Sequence, residues 1–504
     1  MLCTREAGPW IIGGEKGCIM SVSHVRLPAD PVLYEVYVRS FSDSNGDGVG
    51  DIRGITSSLG YLEDLGIDGI WLTPIFESPQ LDFGYDVSDY YKIHSEYGTQ
   101  ADIEELIYEA HKRNISVVLD IILGHTSIEH SWFRGQPDWY IWSTSIPNNW
   151  LSVFGGSAWA HDEVGGLYYY HRFYKEQPNL NWNNADVRAT LHQVLQFWID
   201  KGVDGFRLDS LDGLVVDPEL RNEPPCSLAM LEGRENDTWA EFWSLDHIYT
   251  SNLPRAVEEL SIITNIFSGT SFFVEADLPT EKLKAYMATG ASAYAFDFMR
   301  APLNGNTLAK IVDGAGMDGS LAWALSNHDQ PRLVSRWGRA LAGVAATLLL
   351  SLPGCSFIYQ GDEIGMVDGA GGPIVFDRSG RDSVRHPMQW TATGGFTTGV
   401  PWLPMSDPDR CNVSDQLGRP GSMLETYRAL IRMRRSLSGI VEVIYSDDNR
   451  LAFRRGNATV DLNLGEAPVD ICGSGKVVFA TDPRQRSGVL SGRSAVILDF
   501  PGSC

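Results

Sequence analysis

Arg207 and Asp209 lie two residues apart in Gly205-Phe206-Arg207-Leu208-Asp209, just after Val203-Asp204. The stretch reads as the end of a buried strand. Side chains two apart on a strand face the same way, so the guanidinium and the carboxylate arrive at one place. A neighbouring guanidinium favours the ionised carboxylate and lowers its pKa, which is the state a carboxylate nucleophile needs. A second acid closes another apolar run, Phe272-Phe273-Val274-Glu275, and a third sits in Asn327-His328-Asp329. Acids at three strand ends point to glycoside chemistry. In its retaining form, one carboxylate attacks the anomeric carbon while a protonated partner serves the leaving oxygen.

Each residue has a blander reading when taken alone. An Arg–Asp pair is often structural, a glutamate after a strand is often a solvated loop residue, and His-Asp is commonly a loop cap. Their recurrence at successive strand ends favours chemistry. On that reading Asp209 is the nucleophile. Glu275 is the acid, with Phe272 and Phe273 expected to give it an apolar setting that raises its pKa. Asp329, with His328, holds sugar hydroxyls. His125 closes a further run that begins before Asp120.

A separate signal is Asp43-x-Asn45-x-Asp47-Gly48-Val49-Gly50-Asp51. Oxygen side chains at alternate positions, with glycines for a tight loop, suit a hard cation such as Ca2+ or Mg2+, with Val49 offering its carbonyl. Gly54 stands where an EF-hand loop has glutamate. The expected role is structural, and the competing reading is a polar turn.

The elements that must carry these residues alternate along the chain. Strands are expected at Val32–Phe41, Gly69–Pro74, Ser116–Ile122, Gly205–Ser210, Ser271–Glu275, Ala293–Phe298, Ser320–Ser326 and Ser356–Tyr359. Helical periodicity runs through Ile103, Leu106, Ile107 and Ala110, again through Val187 to Trp198 with Gly202 as a stop, and again through Met423 to Ile431. Eight strands with intervening helices predict an α/β fold, the (β/α)8 TIM barrel. The expected division is an N-terminal extension (1–30) with little order, a barrel (31–125 and 186–440), an inserted domain after strand 3 (126–185) and a C-terminal antiparallel β domain (441–504). Residues 365–420, rich in Gly and Pro, follow the eighth strand.

Composition sets the wider bounds. The chain has 504 residues, 43% hydrophobic and 21% charged, with a net charge of −24. So acidic a surface disfavours nucleic acid and anionic membranes and fits a neutral substrate. No apolar run is long enough for a membrane span. Residues 1–20 lack the continuous apolar stretch of a secretion signal, and Met20 is a candidate start. Seven scattered cysteines without a CxxC pair argue against zinc and for free thiols in the cytoplasm.

Taken together, the motifs resemble the α-amylase superfamily of retaining glycoside hydrolases, within it the α-glucosidase and oligo-1,6-glucosidase branch. The resemblance runs from about Pro31 onward. It is carried by Asp120–His125, Gly205–Asp209, Glu275, Asn327–Asp329, Gly69-Ile70-Trp71-Leu72-Thr73-Pro74, Gly361–Met366 and Gln177-Pro178-Asn179-Leu180-Asn181-Trp182. It implies Asp209 as nucleophile, Glu275 as acid/base and Asp329 as transition-state stabiliser. Asp82 and Tyr85 would bind and stack on the non-reducing glucose. Arg385 would pair with Asp82, closing the pocket beyond one sugar. The loop at 43–51 matches a calcium or magnesium site of the branch. Departures are Gly124 and Phe83, where the family usually has Asn, and Asn179, where it has Asp. Phe83 is expected to add bulk beside the glucose pocket. Ser210, small, leans towards α-1,4 substrates. The expectation is a cytoplasmic exo-acting α-glucosidase, monomer or homodimer, acting on small α-glucosides with some transglucosylation. The rivals are a sucrose isomerase, trehalose synthase or transglucosylase, and, more remotely, a non-catalytic amylase-like module.

Overall fold

A computed structural model describes residues 24–226, 240–314, 320–371, 377–485 and 488–499. Met20, Cys3, Cys18 and Cys504 lie outside the described residues. Eight parallel strands close a barrel: β1 (Val32–Val36), β2 (Gly69–Leu72), β3 (Ser116–Ile121), β4 (Gly205–Leu208), β5 (Ser271–Val274), β6 (Ser292–Tyr294), β7 (Leu321–Trp323) and β8 (Cys355–Tyr359), each paired with its sequence neighbours and β8 with β1. The eight fall within the eight expected segments, apart from a one-residue earlier start at β6 and β8. Every expected segment but the eighth overruns the end of its strand, the first and sixth most. After Val36 the chain turns through a short 3-10 helix at Val38–Ser40, and after Tyr294 it enters the short helix Phe296–Arg300. Ser210 takes a left-handed φ of 44°, which ends β4.

Side-chain alternation divides the barrel into two packed layers. Leu33, Trp71, Val118, Phe273, Tyr294, Ala322 and Phe357 fill the interior. Their neighbours, such as Val32, Tyr34, Ile70, Leu72, Val117 and Leu119, face the helices. These include α1 (Ile52–Leu65), α2 (Gln100–His111), α3 (Ala185–Asp200), α4 (Leu253–Ile266), α5 (Thr280–Met287), α6 (Gly305–Gly314), α7 (Ala342–Ser351) and α8 (Met423–Arg434). Local chemistry fixes their ends. Asp51 caps α1 by accepting the Gly54 N–H (2.7 Å), and Gly66 ends it at φ 90°. Thr99 and Asp102 form a reciprocal capping box on α2.

The segment between β3 and α3 carries a small sheet, Trp142–Ser143, Leu167–Tyr170 and Trp159–Asp162 in that order. Beyond α8, β9 (Val441–Asp447), β10 (Arg450–Arg455), β11 (Ala458–Asn463), β12 (Lys476–Ala480) and β13 (Ser494–Asp499) form an antiparallel sheet, order β9-β10-β11-β13-β12. Residues 24–30, expected within the poorly ordered extension, are instead tied to the barrel. The Val25 N–H donates to Asp204 (2.9 Å), and Asp30 accepts the Gly354 N–H (2.6 Å).

Candidate active site

The site lies at the C-terminal ends of the strands, and strand register builds it. Asp120 on β3 stands opposite Arg207 on β4, so the two side chains meet inside the barrel. Beyond the strands the ladder continues: Asp209 N–H donates to Ile121 O (3.1 Å) and Glu275 N–H to Leu208 O (3.0 Å). The Arg207 guanidinium, 1% exposed, then gathers three carboxylates. Nη1 donates to Asp209 (2.6 Å) and Asp120 (2.8 Å), and Nη2 lies 3.2 Å from Glu275. Sharing one guanidinium keeps Asp209 and Glu275 close, as the retaining arrangement requires.

Three carboxylates on one cation cannot all ionise cheaply. Burial pushes Glu275 up to about 8; Arg207 opposes this, Asp209 adds to it, the Ser210 N–H opposes and Asp212 adds. Burial also pushes Asp209 up, with Arg207 opposing and Asp120 and Asp329 adding. This corrects the expectation that Arg207 holds Asp209 low. Arg207 is divided among three acids, and the site is buried. Glu275 keeps the proton, which suits an acid. Its setting does not come from Phe272, which faces the helix layer, while Phe273 packs on Phe357 in the barrel interior.

Asp329 behaves oppositely. Burial works against its ionisation, but the His328 ring, Arg381 and Arg385 outweigh it and hold the carboxyl well below the usual range. Arg385 donates to Asp329 (2.8 Å) and to the His328 carbonyl (2.9 Å), and Arg381 donates to Asp329 (3.2 Å). His328 Nδ1 meets Glu35 at 2.6 Å and Nε2 meets the Tyr85 hydroxyl at 2.6 Å. Burial holds the Glu35 carboxyl well above its usual range and pushes His328 down to about 3. A neutral Glu35 therefore donates to Nδ1, leaving Nε2–H to face Asp329, 3.2 Å away. Tyr85 donates to Asp120 (2.9 Å) and stacks on His328.

One end of the pocket is shut. Asp82 pairs with Arg381 (2.5 Å), and its other oxygen accepts from Gln177 (3.0 Å). His125 meets the Tyr85 carbonyl (3.0 Å). The expected partner of Asp82 was Arg385. That arginine is instead fully buried against Asp329, and Arg381, four residues earlier, reaches Asp82. Phe83 does not line the pocket either. It packs on Trp402 at 5.5 Å, beneath Arg39 and Arg385. Gly124 and Asn179 are linked: the Asn179 amide donates to the Gly124 carbonyl (3.1 Å), which an aspartate could not do. The rest of the lining is aromatic: Phe154, beneath Arg381 at 5.6 Å, Phe173, against His125 at 5.2 Å, and Phe242, Trp243 and Phe296.

In the loop at 43–51, Asp43 accepts the N–H groups of Asn45, Gly46 and Gly48, Asn45 accepts that of Asp47, and Asp47 that of Val49. Asp51 accepts the N–H groups of Gly54 and Ser44. Among the described residues no three His, Cys, Asp or Glu side chains come together as a metal cage. The donor set is nonetheless all oxygen, which suits a hard dication.

A closed (β/α)8 barrel with acids converging at its C-terminal mouth defines a class, the retaining glycoside hydrolases that work with two carboxylates. The chain belongs to the α-amylase family: the family described as alpha amylase, catalytic domain, matches residues 35–442. A probable alpha-glucosidase of Rhizobium meliloti (strain 1021) is 37% identical over 480 residues, covering 84% of this chain and 86% of its own. An oligo-1,6-glucosidase of Parageobacillus thermoglucosidasius is 36% identical over 498 residues, covering 83% and 86%. Among solved structures, the α-glucosyl transfer enzyme XgtA superimposes with a TM-score of 0.86 at 32% identity, over 93% of this chain and 98% of its own. The isomaltulose synthase SmuA of Protaminobacter rubrum does so at 0.82 and 30%, over 93% and 98%.

Proposed function

We infer that the protein is an exo-acting, retaining α-glucosidase that releases α-glucose from the non-reducing end of short α-glucosides. The observation that carries this reading is the shut end of the pocket, where Asp82, Arg381 and Gln177 leave room for a terminal sugar beside Asp209 and Glu275. The Asp209 carboxylate attacks the anomeric carbon, and the C–O bond to the leaving sugar breaks as Glu275 delivers its proton to that oxygen. Glu275, now ionised, takes a proton from water. The water oxygen displaces Asp209, returning the carboxylate and restoring the anomeric configuration. Arg207 balances charge as the proton leaves Glu275. Asp329, held ionised, accepts hydroxyl hydrogen bonds that strengthen as the ring flattens.

The aromatic lining of the pocket favours a second outcome of the same intermediate. A sugar held against this lining replaces water and is glucosylated. Small Ser210 supports α-1,4 linkages. Time-resolved proton NMR with maltose, isomaltose and sucrose tests both outcomes. Early α-glucose with maltose as the best substrate is expected, and early β-glucose, or turnover of sucrose alone, would overturn the reading.

We propose further that the loop at 43–51 takes a structural Ca2+ or Mg2+ through Asp43, Asn45, Asp47, the Val49 carbonyl and Asp51. Its all-oxygen donors support this. Addition of calcium to chelator-treated protein should raise Tm, and an unchanged Tm would count against it. Free thiols at Cys226, Cys355, Cys411 and Cys472 support a cytoplasmic setting. The acidic surface supports neutral small-molecule partners and a monomer or homodimer. No helix among the described residues is long and apolar enough to cross a membrane.

A further inference from the structure

The general acid does not stand on its strand alone. Two consecutive residues after the nucleophile bind Glu275 at the exit of β5. Ser210 N–H donates to the Glu275 carboxylate (2.6 Å), and Leu211 N–H donates to the Glu275 carbonyl (2.8 Å). Asp212, the next residue, faces Asp277, two residues beyond Glu275. Ser210 reaches its place only in the left-handed region, φ 44°, which a side chain other than glycine's adopts at a cost. Something must hold this strained segment.

That anchor comes from another part of the chain. Arg172, in the segment between β3 and α3, donates to Asp212 through Nη2 at 2.5 Å. The pair is buried, Arg172 4% and Asp212 5% exposed, and both line the pocket. Arg172 also lies over Phe242 at 5.3 Å, and its own N–H donates to Asn179 (2.6 Å). Gly213 makes the approach possible: a Cβ there would lie 2.5 Å from Arg172 Cδ. A buried ion pair of this kind contributes little net stability, but breaking it from one side strands a charge.

We propose that Arg172 and Asp212 are positioning residues for Glu275: their ion pair lets the inserted segment clamp residues 210–212 onto the acid and sets the charge the acid faces. The proposal rests on the reading of Glu275 as the general acid. The groups that face Glu275 are Arg207, Asp209, Asp120, Asp212 and the Tyr294 phenol. Those that face the pair are Asp277, Glu223, Tyr170, Tyr286 and His247. With Arg172 in place Asp212 is balanced. Without Arg172 the buried Asp212 carboxyl, which burial already raises, takes up a proton and changes the charge facing Glu275 little, and without Asp212 the bare arginine favours ionised Glu275.

The test is the pH profile of kcat/KM on maltose for Arg172→Leu, Asp212→Asn and the double variant. The alkaline limb should fall in Asp212→Asn by roughly 0.5–1 pH unit and stay close to the parent value in Arg172→Leu and in the double variant. The double variant also guards against a single variant that fails to fold, because neither charge is then stranded. Limbs that stay put in all three, or move the same way in both singles, would overturn the proposal. Glu275→Gln separates this failure from that of the underlying reading: equal losses on maltose and on a glucoside with a very acidic leaving group would remove Glu275 as the acid whatever the pair does.

Discussion

At the level of single residues, the site turns on how one guanidinium is divided. Arg207 serves Asp120, Asp209 and Glu275, and burial then leaves the proton on Glu275. Glu275→Gln should lower kcat/KM on maltose by about 10²–10⁴ while sparing the first step on an aryl glucoside with a good leaving group. The same substitution has a stability sign. The folded pKa of Glu275, about 8, exceeds its unfolded value, so the folded state keeps a proton that the unfolded chain releases as pH rises. Stability through this group is therefore lost between about pH 4 and pH 8. Differential scanning calorimetry should find Glu275→Gln more stable than the parent at pH 8, by roughly 1–3 °C in Tm, with the gap closing towards pH 4. At the shut end, Arg381→Ala should raise KM for maltose at least tenfold, because Asp82 loses its ion pair and glucose its wall. An unchanged KM would separate Arg381 from sugar binding. The three acids were legible because each closes an apolar run. Arg381 was not, since it sits in a glycine-rich loop without periodicity. Its one signal is a second arginine four residues before the expected one. Glu35 and Asp120 depend on pairing between strands far apart in sequence, which no local pattern shows. Arg172 and Asp212 meet across 40 residues for the same reason.

At the level of elements, the strands were readable to within a few residues at either end, and the misplaced ends are where chemistry intrudes. Strand β4 stops at Leu208 because Ser210 turns left-handed to reach Glu275. The first expected strand stops at Val36 because Val38 N–H is taken by the Thr73 hydroxyl (3.1 Å) and the chain turns. Helix starts followed their caps. Asp51, expected among the metal ligands, is also the N-cap of α1 and holds Ser44. Asp51→Ala should cost about 1 kcal/mol for the cap, visible as a lower urea midpoint in calcium-free buffer. No loss there would mean that the cap contributes nothing.

At the level of the whole molecule, alternating strand and helix patterns announced the barrel, and short β runs announced the terminal sheet. How that sheet attaches was hidden. Arg434 on α8 donates to the carbonyls of Leu350 (3.0 Å) and Leu352 (2.5 Å), and Arg455 on β10 donates to those of Ser351 (3.2 Å) and Leu352 (2.9 Å). Two arginines thus satisfy the C-terminal carbonyls of α7, where cations are favoured. Arg455→Met should destabilise by about 2 kcal/mol with little change in kcat/KM, since it lies far from the acids; parallel loss of both would tie the sheet to catalysis. The central claim, a retaining mechanism through Asp209, is tested most directly by trapping. Incubation with a fluorinated α-glucosyl fluoride, which forms the intermediate faster than it breaks down, followed by peptide mass spectrometry, should find the sugar on Asp209 and no label in Asp209→Asn. A label on any other carboxylate, or a glucose product of inverted configuration, would contradict the account.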